Sequence, residues 1–166
     1  MDTSMGERLV LYQKLRAIHK DLHHTLMNQL PDNALQQCGR LLGVFKNDTL
    51  VLNSESEMAA LMDYCIYDYR WDGRNVIERY IDQTTLESGL DRRNLLTAML
   101  GSRYSLFVVD EVVKGSGIQT RDVFRGDSGF IMDIGMSETA VKNLVFACRI
   151  IAPGDCGFSM ATSGVI

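Results

Sequence analysis

The texture of the chain changes at Gly101, and no other feature constrains its fold so much. Before Gly101, apolar residues recur at helical spacing. After it, β-branched and aromatic residues gather in short runs between glycines. Helices followed by strands, rather than alternating with them, read as an α+β fold. The predicted strands are 104–113, 117–124, 130–134, 144–151 and 158–165. Lys114-Gly115-Ser116, 125–129, 135–143 and Pro153-Gly154-Asp155 separate them, and 136–141 supplies a short helical turn. Five short strands with tight turns predict a small β-barrel, closed or half closed, which removes exposed strand edges. The expected organisation is a helical part at 1–101 and a five-stranded small β-barrel at 102–166. With no linker between them, the two are expected to dock as one unit.

In the helical part, Leu11, Leu15, Ile18, Leu22 and Leu26 form a helical stripe. It predicts a long helix from about residue 7 to residue 30, ended by Pro31 and packed across several partners or a dimer interface. Asp32 or Asn33 is placed to cap a second, short helix that stops at Gly43. Apolar residues on either side of Lys46-Asn47-Asp48 predict a hairpin over 44–52. Ser54 and Glu57 have the spacing of a capping box, and open a helix with Leu61, Cys65, Ile66 and Tyr69 on one face. Val76, Ile77, Tyr80 and Ile81 mark the next helix. Leu95, Leu96 and Met99 mark another, capped within 88–91.

A chain of 166 residues, 46% of them hydrophobic, buries enough surface to fold without disulfides or metal. Its net charge is −4, with 11 basic against 14 acidic residues up to Leu100 and 6 against 7 after it. Neither part is a basic module of the kind that neutralises several phosphates. Cys38, Cys65, Cys148 and Cys156 contain no Cys-x-x-Cys, which argues against a zinc ribbon or a thioredoxin-like site. They read as free thiols in a reducing compartment. Without a signal-like N-terminus or an apolar run of about 18 residues, a cytoplasmic chain with no membrane partner is expected.

Few residues suggest chemistry. His19 and His23 share a helix face, but Lys20 stands where a His-Glu-x-x-His motif needs Glu, and no third ligand is near. A solvated face is expected, with no metal and no cofactor. Cys156 lies in a turn beside Asp155, whose charge disfavours a thiolate. The glycine-rich stretches 115–117 and 126–129 lack the Gly-Lys-Ser/Thr of a phosphate loop and read as hairpin turns. Asp110, Glu111, Asp122 and Asp133 are scattered acids, expected to face solvent.

The segments Arg103-Tyr104-Ser105-Leu106-Phe107, Val108-Val109-Asp110-Glu111-Val112, 117–123 and 144–151 resemble a small β-barrel module of uncharacterised bacterial proteins. Some relatives in that group carry a SEC-C zinc motif or helical repeats. Met62-Asp63-Tyr64-Cys65 with Asp72-Gly73-Arg74-Asn75 resembles the group's helical part. The resemblance implies the same fold and no particular activity. This chain lacks the cysteine-rich SEC-C signature, so the zinc function is not implied for it.

With no catalytic constellation, the leading expectation is a non-enzymatic binding or adaptor protein, self-associating through its first helix. Tyr67, Arg70, Trp71 and Arg74 are the interface candidates, because aromatics beside arginine are enriched at protein contacts. The competing expectation is that these aromatics close the core, with Arg70 paired to Asp68 or Asp72. The alternative function is nucleic-acid binding by the barrel through Arg103, Tyr104, Arg121, Arg125 and Arg149.

Overall fold

The computed structural model describes residues 4–84 and 89–162. Its first helix, α1 (Met5–Met27), opens on a capping box. The Ser4 hydroxyl accepts from the Glu7 amide, and the Glu7 carboxylate accepts from the Ser4 amide. Tyr12, Leu15, His19, Leu22 and Leu26 are buried along it. The predicted stripe is right at Leu15, Leu22 and Leu26 and turned at its other positions. Leu11 and Ile18 lie at the core's edge, while Tyr12 and His19 go inward. His19 is therefore not solvated as expected. The Tyr67 hydroxyl partners its ring at 3.1 Å, so the imidazole is buried with its hydrogen bond met.

α2 (Ala34–Leu41) follows Asn33, whose side chain makes no capping bond. The expected hairpin is β1 (Phe45–Lys46) with β2 (Thr49–Leu50). Asn47 and Asp48 both take positive φ, 50° and 57°, the two-residue turn whose twist suits a hairpin. α3 (Glu55–Tyr67) is capped by the Ser54 hydroxyl, but the Glu57 carboxylate reaches past Ser54 to the Asn53 amide. α4 (Val76–Gln83) carries a complete capping box from Asn75 and Glu78. α5 (Leu90–Leu100) begins after Gly89, within the expected 88–91, with no side-chain capping bond; Ser88 lies outside the described residues.

The strands are β3 (Arg103–Val113), β4 (Gly117–Asp122), β5 (Ser128–Met132), β6 (Val145–Ile151) and β7 (Met160–Ala161), with α6 (Ile134–Thr139) between β5 and β6. They form one sheet in the order β5-β4-β3-β6-β7, each pair antiparallel. A register shift between Val109 and Glu111 makes a bulge at Asp110, which sharpens the local twist. The sheet curls around Phe107, Val109, Ile118, Ile131, Phe146 and Cys148.

Among the described residues the result is a five-stranded half-barrel. Its two edges meet, among the described residues, at one bridge, between Ile131 and Ser159. Two hydrogen bonds of 2.8 Å hold it, Met132 amide to Ser159 carbonyl and Ser159 amide to Phe130 carbonyl. Two residues of β7 are too few for a ladder along β5. The last part of the predicted strand, 163–165, lies outside the described residues.

The largest core does not respect the change of texture at Gly101. Leu22, Leu26, Ile66, Ile77, Leu95 and Met99 from the helices pack against Met132, Ile151, Phe158 and Met160 on the outside of the half-barrel. A smaller core of Ala34, Cys38, Leu61, Cys65 and Tyr69 lies between α2 and α3. Among the described residues, no helix is long and apolar enough to cross a membrane.

Candidate functional site

The segment 67–74 is a braced corner between α3 and α4. Tyr67, an interface candidate, is buried, and its backbone carbonyl accepts from the Asn75 side chain at 2.9 Å. Trp71 stacks on Tyr69 with ring centres 5.8 Å apart, and the Arg79 guanidinium covers its ring. Arg70 is paired, but with Glu78 at 2.9 Å rather than with Asp68 or Asp72. Arg74 pairs with Asp82 at 2.5 Å. Each arginine of the expected interface is therefore held by a carboxylate.

Most basic residues of the sheet are held in the same way. Arg103 lies against Asp127 and Asp122, and Arg121 against Asp110. Arg149, a candidate contact of the alternative nucleic-acid reading, is only 5% exposed. Tyr104 and Arg149 are paired across β3 and β6 on the outer face of the sheet. There α3 and its C-cap cover Arg149 with two carboxylates: Asp63, 2.8 Å from Nε, and Asp68 at Nη2. The guanidinium also lies over the Tyr67 ring. Such a cation is spent on the protein's own acids. Arg125 stands exposed in the turn after β4, beside Phe124, which is 78% exposed.

Beyond the reach of α3, the same outer face is open. Residues opposite one another in an antiparallel pair share a face. The pairs Leu106–Ala147 and Val108–Val145 therefore stand beside Tyr104, and Val123 follows β4 next to Leu106. Val145 is 53% exposed and Val123 47%. Together these side chains make an apolar surface on β3 and β6, extended by Val123 and Phe124 in the turn after β4, with Arg121 opposite Val108 on the same face.

A second feature is a cavity of about 740 Å³ along α1, lined by Arg16, Lys20, His23, Met27, Met62 and Thr162 among others. Beneath it lies a buried polar network. Thr162 donates to Asp63 at 2.8 Å, Asp63 accepts from Arg149, and His19 meets Tyr67. Burial, reinforced by Arg16 and His23, lowers the His19 pKa to about 3, so the ring is neutral at pH 7. Burial raises the Asp63 carboxyl above the usual range, against the pull of Arg149.

A family model described as a family of unknown function, DUF7986, matches residues 6–165. The chain belongs to that family. No curated protein and no solved structure matches it significantly. The match spans the helices and the half-barrel together.

The remaining sequence candidates have structural roles. Asp122 is buried, not solvent-facing, and accepts from Ser105 and from the amides of Phe124 and Arg125. Asp133 caps α6 through the Met136 amide. Burial, then Asp155, raises the Cys156 thiol, which disfavours the thiolate as expected. Gly115 and Gly126 take positive φ in turns. Among the described residues, no group of three or more His, Cys, Asp or Glu could hold a metal. Sequence reasoning missed Leu106, Val108, Val145 and Ala147. The available signal was the unbroken apolar run 106–109, which gives β3 apolar residues on both faces and so requires cover on both.

Proposed function

We propose that this chain is a non-enzymatic binding protein whose docking surface is the outer face of β3, β4 and β6, and that a second copy of the chain docks there. One observation carries the reading. Tyr104, Leu106, Val108, Val123, Val145 and Ala147 form an apolar surface on the sheet, bordered by Arg121, which is opposite Val108 and paired to Asp110. An apolar centre with aromatics and a polar rim suits a protein partner. A phosphate backbone needs uncommitted cations, and Arg103, Arg121 and Arg149 are committed. The face is also a better site of self-association than α1, whose outward residues include Gln13, Lys14, Lys20 and Asp21.

Sedimentation velocity over a range of concentrations tests the proposal. The wild-type chain is expected to dimerise, and Val108→Lys with Val145→Lys to remain monomeric with an unchanged far-UV spectrum. Phe124→Ala, at a side chain outside the core, should weaken the dimer about tenfold or more. A wild-type chain that stays monomeric at every concentration would refute self-association. Single-stranded nucleic acid bound tightly at low salt and lost at high salt would favour the barrel-reader alternative.

A further inference from the structure

We infer that the cavity along α1 binds an anionic amphiphile: a small molecule with an apolar body and a carboxylate or phosphate head. Its volume, about 740 Å³, falls in the range of pockets that enclose small ligands. Tyr12, Ala17, Met27, Met62 and Ile134 supply apolar wall. Arg16, His19, Lys20 and His23 recur at the i, i+3, i+4, i+7 spacing of one helix face, and all four line the cavity. Among the described residues, no carboxylate lies within ion-pair distance of Arg16 or Lys20, although the chain as a whole carries −4. Arg16 is instead steadied by the Ala161 carbonyl, which accepts from its Nη1.

The neighbouring acids are already engaged. Asp63 is bound to Arg149 and Thr162 beneath the floor, and Asp133 to the Met136 amide. None of them lines the cavity. Apolar walls with two uncommitted cations on one side favour a ligand of opposite charge and reject a cation. His19 is bonded to Tyr67 and stays neutral, so it contributes shape and not charge. The imidazole pair that suggested a metal thus becomes part of a wall. This inference uses a different surface from the docking face, and either can fail alone.

Isothermal titration of the full chain with four ten-carbon probes tests it: decanoate, decyl phosphate, decanol and decylamine. Decanoate or decyl phosphate should bind, decanol about tenfold or more weaker, and decylamine not measurably. Whichever anion binds tighter identifies the head. Lys20→Glu, at an exposed position, should weaken anion binding about tenfold while leaving the fold intact. Ala17→Trp, also exposed, should block the cavity without removing a charge. Equal affinity for decanol and the anions, no effect of Lys20→Glu, or no binding of any probe would each overturn the inference.

Discussion

Arg149 joins the two parts of the chain through side chains that no local pattern relates. It sits in the run Val145–Ile151, where an outward arginine suggests solvent. Its burial is decided by Asp63, 86 residues earlier in the chain. Removing one member of a buried ion pair leaves the other uncompensated, at about 3–5 kcal/mol. Arg149→Met should therefore lower stability by about that amount in urea denaturation, and Asp63→Leu added to it should recover much of the loss. His19 gives a pH signature. Its folded pKa of about 3 lies below the ordinary 6.5, so the unfolded chain binds the extra proton between those values. Its contribution is complete above pH 6.5 and is lost as pH falls towards 3. His23, also lowered by burial, acts in the same direction, while Asp63, raised by burial, opposes them. The His19→Gln variant should lose less stability than wild type between pH 6.5 and 4, read as the shift in urea midpoint. Leu15, Leu22 and Leu26 were legible from spacing, but His19 was not, because its only warrant for burial is a tyrosine on another helix.

The elements were more legible than the residues, because periodicity and caps are local. Ser54 sits at a helix start, and the hairpin turn falls on Asn47-Asp48. Closure of the sheet was less legible, since it depends on the length of β7 and on one bridge to β5. Gly117 is a further case. In the sequence it reads as part of the Gly115-Ser116-Gly117 turn. In the fold only Gly115 of this pair has positive φ, and Gly117 is needed for a different reason. A Cβ there would lie 2.2 Å from the Ile131 carbonyl oxygen and 2.9 Å from the Met132 Cα, and neither backbone atom can yield without breaking the β4–β5 pairing. Gly117→Ala should cost about 3 kcal/mol or more, whereas Gly129→Ala, whose Cβ meets nothing within 4 Å, should cost far less. Thermal melts of the two variants would separate close approach from general glycine loss.

For the whole molecule, the shared core predicts one unfolding event. Trp71 packs at the edge of both helical cores, and the main core includes four residues from the half-barrel side. Trp71 fluorescence and far-UV circular dichroism should therefore give coincident urea transitions; two separated transitions would divide the chain at 101. The Arg149–Asp63 pair also bears on synthesis. A ribosome adding about 5–20 residues per second makes Asp63 roughly 4–17 seconds before Arg149, its partner 86 residues downstream. Throughout that interval the nascent helices lack both the cation for Asp63 and the sheet residues that cover α1. The emerging chain must wait in a partly wetted state, and a chaperone that grips it would find its target on the still uncovered side of the first helix.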